Sequence, residues 1–181
     1  MKLTRTFLLA LSVAFGAGSF VAAQEAAQAV VTPITAVQGD RGPVTNLPMP
    51  RYVSLKANEA NVRRGPSLSH RIDWVFKHRG MPLQVVAEHG HWRRVIDRDG
   101  AGGWVHYTLI SGARTVLIEQ DHVRLYKLAD ATSPLSAIAE TGVIARLGKC
   151  KEQWCRVTVD GSKGWLQRNQ VWGLMPGEVR E

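Results

Sequence analysis

Residues 103–105 read Gly-Trp-Val, and the chain repeats this stretch 61 positions later as Gly-Trp-Leu at residues 164–166. Two further pairs match in the same order at nearly the same offset: Asn61-Val62-Arg63 with His122-Val123-Arg124, and Trp92-Arg93-Arg94-Val95 with Trp154-Cys155-Arg156-Val157. Ordered self-similarity at one period is the signature of duplicated structural units. The sequence therefore predicts two homologous units of about 60 residues each.

Short apolar segments predict that both units are built from β-strands. Leu83, Val85 and Ala87 alternate with other residues, as in a half-buried strand. Asp99-Gly100 and Asp160-Gly161 each lie between two apolar runs, which is a strong hairpin signal. Strands spaced about ten residues apart favour a small barrel or sandwich. We therefore expect an all-β protein.

The first residues predict export. Lys2 and Arg5 precede an apolar run over residues 7–15, and small residues lead to a cleavage site after about Ala23, as in a secretory signal peptide. The run is shorter than the roughly 20 residues of a membrane span, so we expect no stable membrane insertion after cleavage. Residues 24–50 show no sustained period and end in Gly and Pro, which predicts a flexible linker.

The residues also resemble a known family. Asn61-Val62-Arg63-Arg64-Gly65-Pro66-Ser67, followed by Trp92 and Gly103-Trp104-Val105, is similar to the bacterial SH3-like (SH3b) domain. Arg51-Tyr52-Val53-Ser54-Leu55-Lys56, Ile72-Asp73-Trp74-Val75 and Trp154-Cys155-Arg156-Val157 resemble its exported tandem branch in Gram-negative bacteria.

The resemblance covers about residues 51–176 and implies two tandem small SH3-like β-barrels. Domain 1 would span residues 51–116 and domain 2 residues 117–176, followed by a tail at residues 177–181. It further implies a periplasmic protein without catalytic activity, acting at the cell wall with peptidoglycan as the usual inferred ligand. In domain 2, Leu125-Tyr126-Lys127 replaces the Gly-Pro turn, so the ligand-binding role is expected in domain 1.

The charge distribution indicates the kind of partner. The net charge of +8 becomes +6 after signal cleavage, and residues 51–116 alone carry 11 basic against 5 acidic residues. Outside the cytoplasm nucleic acid is a poor partner, so this excess predicts an anionic envelope ligand. We expect it to bind to Arg63, Arg64 and Arg71, with Trp74 and Tyr107 as an aromatic platform.

A second interpretation is a protein–protein adaptor. Its domain 1 would recognise an extended or Pro-rich peptide of an envelope protein. A third interpretation, a cell-wall hydrolase, requires a catalytic set that the sequence does not display.

The two cysteines leave one chemical alternative open. In an exported protein, Cys150 and Cys155 are expected to form a structural disulfide. The alternative is a nucleophilic cysteine with a His base, for which His122 is the one candidate in domain 2.

His89 and His91 could offer two imidazoles to a metal, but no carboxylate or thiol completes the ligand set. We expect no metal and no cofactor.

The aromatic residues are expected in two kinds of place, depending on whether the repeat duplicates them. Trp104 and Trp165 occupy equivalent positions and are expected in the two cores. Trp74, Trp172 and Tyr107 lack equivalents and are expected at a groove or between the units.

Overall fold

The alternating segments of the first unit form one antiparallel sheet of seven strands. The computed structural model describes residues 41–181, and the strands of domain 1 within them are β1 (Arg51–Leu55), β2 (Glu59–Arg63), β3 (Ile72–Lys77), β4 (Pro82–His89), β5 (Trp92–Ile96), β6 (Gly102–His106) and β7 (Ile110–Ser111). Their order in the sheet is β3-β2-β6-β5-β4-β1-β7. A single 3₁₀ turn at Tyr107–Leu109 separates β6 from β7.

The second unit repeats this arrangement, and its first strand begins at Thr115, two residues before the predicted start of domain 2. Its strands are β8 (Thr115–Ile118), β9 (Val123–Tyr126), β10 (Leu135–Ala139), β11 (Ile144–Cys150), β12 (Trp154–Val159), β13 (Ser162–Gln167) and β14 (Val171–Trp172). The order β10-β9-β13-β12-β11-β8-β14 matches domain 1 strand for strand, and Arg168–Gln170 forms the equivalent 3₁₀ turn. The predicted all-β class with two tandem SH3-like domains is confirmed.

Each domain has its own core, built from residues that point inward at every second strand position. Val62, Leu83 and Val105 are fully buried in domain 1, and Leu125 and Leu166 in domain 2. Burying such side chains contributes about 1.5–3 kcal/mol each. The same alternation places Trp104 and Trp165 outside these cores.

Trp104 and Trp165 are only half-buried, so their expected place in the cores is wrong. Each precedes an inward-pointing residue of the same strand, Val105 or Leu166, and successive side chains of a strand face opposite sides. The repeated glycine before each tryptophan has a packing reason. A Cβ on Gly103 would overlap the backbone of Arg63, and one on Gly164 would overlap Leu125.

Both predicted Asp-Gly hairpins are present. Between β5 and β6, the Asp97 carboxylate accepts hydrogen bonds from the backbone N–H groups of Asp99 and Ala101, at 3.0 and 2.8 Å. Between β12 and β13, Asp160 and Gly161 have φ angles of 46° and 86°, as a two-residue hairpin turn requires. The turns therefore set the register of each hairpin.

Residues 41–50 form a turn that is held on domain 1 by one buried carboxylate. Glu88 accepts hydrogen bonds from the backbone N–H groups of Val44 and Thr45, at 3.0 and 2.9 Å, and from the Thr45 hydroxyl at 2.6 Å. Arg51 donates to the same carboxylate at 2.7 Å, and the Arg93 guanidinium lies 3.5 Å away. The predicted signal peptide and residues 24–40 of the predicted linker lie outside the described residues.

Direct hydrogen bonds join the two domains. The Ser54 hydroxyl donates to the carbonyl of Ala113 at 2.6 Å and lies 2.6 Å from the Thr115 hydroxyl, which donates to the Gly80 carbonyl at 2.5 Å. Ser54 is 2% exposed. Because these groups are shielded from water, each bond helps to hold domain 2 against domain 1.

Aromatic contacts extend this interface. The ring of Trp172 meets that of Tyr52 edge-on, with centroids 5.1 Å apart, and the Arg114 guanidinium lies 5.6 Å from the Tyr52 ring. Trp172 therefore lies between the units, as its lack of a sequence equivalent suggested. Within residues 41–181, no helix has the length and apolar character needed to cross a membrane.

Candidate functional site

Two of the predicted ligand-binding arginines share one carboxylate in domain 1. Asp73 on β3 accepts the Nε–H of Arg71 at 2.7 Å on one oxygen and the Nε–H of Arg64 at 3.2 Å on the other. These hydrogen bonds, the one from Arg71 first, hold the pKa of Asp73 below its usual value. We call Arg64, Arg71 and Asp73 the arginine pair site. It carries two positive charges and one negative charge.

The geometry leaves the outer ends of both guanidinium groups free. Both arginines use Nε toward Asp73, and their terminal nitrogens have no hydrogen-bond partner within residues 41–181. The two side chains are 64% and 67% exposed. Trp74 follows Asp73 on β3, and its side chain is also exposed, at 51%. The site therefore presents to solvent two guanidinium groups that are hydrogen-bonded to one carboxylate, while Trp74 is exposed at the next position of the same strand.

Arg63, the third predicted arginine, is used inside the protein. Its guanidinium donates to the backbone carbonyls of Leu68 and His70, at 3.0 and 2.7 Å. These bonds close the loop that carries Gly65 and Pro66 and that joins Arg64 to Arg71, so Arg63 has a structural role in this loop. Gly65 suits this loop because a Cβ there would overlap the ring of His70.

Tyr107, the fifth predicted residue, belongs to a different group of side chains. Its ring centroid lies 5.0 Å from that of His106 and 5.7 Å from that of His91, and Trp92 meets His106 edge-on at 5.5 Å. Arg93 approaches the Tyr107 ring at 6.0 Å. We call His91, Trp92, His106 and Tyr107 the ring cluster. The structure thus brings Arg64 and Arg71 together on Asp73, leaves Trp74 exposed on the same strand, and places Tyr107 in this second group.

The cysteines form the predicted disulfide. Cys150 and Cys155 are bonded across the β11–β12 hairpin, where they face each other in the register. They are the two cysteines of the chain, so the alternative of a nucleophilic cysteine is excluded. The tail covers this hairpin, because Arg180 and Cys150 exchange backbone hydrogen bonds at 2.9 and 3.0 Å. In the described part of the chain, no three His, Cys, Asp or Glu side chains are grouped to hold a metal.

A pocket in domain 2 was missed by the sequence interpretation. It has a volume of about 250 Å³ and is lined by His122, Arg124, Tyr126, Gln167 and Gln170. Two signals could have indicated it. Arg124 is the repeat equivalent of Arg63, and Tyr126 stands where domain 1 has its glycine turn.

Comparisons with known proteins agree with the duplicated fold. The family model of the bacterial SH3 domain matches the chain twice, at residues 56–112 and 119–173. No curated protein matches the chain.

Two solved structures match the chain at low similarity. NlpC2 from Trichomonas vaginalis is 8% identical with a TM-score of 0.32, over 68% of this chain and 48% of that one. An NlpC/P60 family protein from Bacillus cereus is 14% identical with a TM-score of 0.31, over 69% of this chain and 57% of that one. The chain thus spans about half the length of these structures. On the two family matches, which cover more than half of the sequence, the chain belongs to the bacterial SH3 domain family.

Proposed function

We propose that this protein is a non-catalytic binding module of the cell envelope, which recognises peptidoglycan or another anionic envelope ligand through domain 1. The observation that carries the proposal is the arginine pair site. Asp73 fixes both guanidinium groups through Nε, and their terminal nitrogens point to no other group of the described chain. Planar guanidinium groups suit carboxylates, because two parallel N–H groups can bind one anion.

The surroundings of the site support an anionic polymer as the ligand. Residues 51–116 carry a net charge of +6, which raises the local concentration of anions. Trp74, on the same edge strand, is exposed and offers a flat face against which a sugar ring or an extended peptide can pack. The predicted signal peptide places the protein, by this proposal, in the periplasm. Peptidoglycan, with its peptide carboxylates, is an anionic polymer of that compartment.

Co-sedimentation with purified cell-wall sacculi tests the proposal. The protein should sediment with sacculi at low salt and be released at about 0.5 M salt, where the Debye length is only about 4 Å. Replacing both arginines of the site, Arg64→Gln and Arg71→Gln, should abolish sedimentation. The matched control is Arg146→Gln with Arg156→Gln, two exposed domain 2 arginines whose loss changes the total charge equally. Equal loss of binding in both double variants would contradict a specific site in domain 1.

The ring cluster favours a second candidate, an adaptor for an extended or Pro-rich peptide of an envelope protein. Tyr107 is 46% exposed, and neighbouring rings offer the kind of surface on which proline side chains pack. Cross-linking in envelope extract distinguishes the candidates. A stoichiometric protein partner that is lost with Tyr107→Ala, together with unchanged sacculus binding, would favour the adaptor.

A further inference from the structure

The two domains use their equivalent arginines differently. Arg63 of domain 1 donates to two carbonyls of its own loop. Its repeat equivalent, Arg124 on β9, is exposed, and its guanidinium forms no hydrogen bond or ion pair within residues 41–181. Domain 2 has Leu125-Tyr126-Lys127 where domain 1 has Arg64-Gly65-Pro66, which begins the loop whose carbonyls hold Arg63. Arg124 therefore lacks the internal partners that its domain 1 equivalent has.

Arg124 lines the domain 2 pocket together with groups that are already held in place. Tyr126 is supported edge-on by Trp154, with ring centroids 5.8 Å apart. The side-chain oxygen of Gln170 accepts the backbone N–H of Gln167 at 3.1 Å. A site whose walls are fixed before binding loses less freedom when a ligand enters.

We propose that this pocket binds the carboxylate end of a short peptide, with the carboxylate on Arg124. An arginine without an internal partner is the group in the pocket best suited to a carboxylate. The side-chain amide nitrogen of Gln167 donates to no group within residues 41–181, so it can donate to the carbonyl of the peptide bond next to the carboxylate. The Tyr126 ring can support an apolar side chain of the ligand.

Two acidic side chains lie beside the pocket, next to His122. His122 lies at one side with its ring nitrogen 3.7 Å from the Glu140 carboxylate, and Asp121 lies next to His122 in the chain. These acidic groups disfavour a carboxylate on that side, which is consistent with a carboxylate bound to Arg124. The volume of about 250 Å³ is below the roughly 300–1,000 Å³ of pockets for drug-sized ligands, so it accommodates one or two residues.

Titrations of the full chain with N-acetyl-dialanine, followed by backbone and side-chain amide NMR, test this inference. The peptide is used in its L,L and D,D forms, each with a free carboxylate and as the C-terminal amide. The free-acid forms should shift the signals of Arg124, Tyr126, Gln167 and Gln170, and the amides should bind about tenfold more weakly. Preference for the D,D form indicates a cell-wall peptide, and preference for the L,L form indicates a protein C-terminus.

Variants separate this site from domain 1. Arg124→Gln should weaken binding of the free acid about tenfold and leave the other amide signals in place. Arg146→Gln on β11 is the matched control, because β12 lies between it and the nearest strand of the pocket. Equal binding of acid and amide, shifts confined to domain 1, or no shift at millimolar peptide would overturn the inference. The inference does not rest on the proposed function, since sacculus binding through the arginine pair site survives each of these results.

Discussion

Replacing Glu88 with Gln should destabilise domain 1 by about 3 kcal/mol at neutral pH. The Glu88 side chain is 0% exposed, and burial alone would raise its pKa. Hydrogen bonds from Thr45, Arg51 and Val44 outweigh burial and lower the pKa from 4.5 to about 2. At roughly 1.4 kcal/mol per pKa unit, this shift corresponds to about 3 kcal/mol. Breaking a buried pair, here by leaving the enclosed guanidinium of Arg93 uncompensated, costs about 3–5 kcal/mol, which agrees.

The pH dependence follows from the direction of the shift. A carboxyl group whose pKa is lowered on folding contributes its stability above its unfolded pKa and loses it as the pH falls through the folded value. Domain 1 of the natural protein should therefore lose about 3 kcal/mol between about pH 4.5 and pH 2. In the Glu88→Gln variant, this part of the acid dependence should be absent.

Urea unfolding with hydrogen exchange read separately for each domain provides the measurement. The free energy of unfolding is determined at several values between pH 7 and pH 2 for the natural protein, Glu88→Gln and the control Glu59→Gln. Glu59 is exposed on β2 of the same domain, so its replacement makes the same change of charge without breaking a buried contact. Indistinguishable stability and acid dependence of the two variants would refute the reasoning.

Two further predictions concern the disulfide and the interface between the domains. Replacing both Cys150 and Cys155 with Ser should lower the stability of domain 2 by about 2 kcal/mol in urea unfolding, because the closed loop is short. An unchanged midpoint would contradict this. Thr115→Val removes the donor to Gly80 and should cost about 1 kcal/mol, with the two domains unfolding in separate calorimetric transitions where the natural protein shows one. Identical calorimetric traces would show that this hydroxyl does not couple the domains.

The fold could be predicted from the sequence because its signals are local or repeated. Asp99-Gly100 and Asp160-Gly161 specify their hairpins through backbone preferences that need no distant partner. Because the chain repeats itself, each strand could be predicted from two equivalent segments. The two sheets have the same strand order, which confirms the predicted repeat. The tryptophans show the limit of this reasoning. Equivalence of Trp104 and Trp165 predicted equal surroundings, but strand alternation made those surroundings half-buried rather than core.

The candidate site was predicted only in part because hydrogen bonds between distant residues decide which charged groups are free. The sequence places Arg63 and Arg64 side by side, yet the first is held by loop carbonyls and the second faces outward on Asp73. Glu88 gave no signal as a single acidic residue of a strand, because its partners Val44 and Thr45 lie 44 and 43 positions earlier. Whether a charged side chain is free or paired therefore depends on tertiary contacts, which residue type and spacing do not specify.

The two proposed binding sites lie on one chain, and this would affect the binding of a polymer differently from that of a short peptide. The hydrogen bonds between Ser54, Thr115 and Gly80 hold the domains together, so a ligand bound to one domain stays close to the other. For a polymer with repeated carboxylates, the second binding event is then intramolecular and occurs at a high effective concentration. A peptide with a single carboxylate can occupy only one of the two sites, so its affinity is not increased in this way. Loss of Arg124 should therefore weaken sacculus binding by a larger factor than it weakens peptide binding, and an equal or smaller factor would show that the two sites do not bind the same polymer.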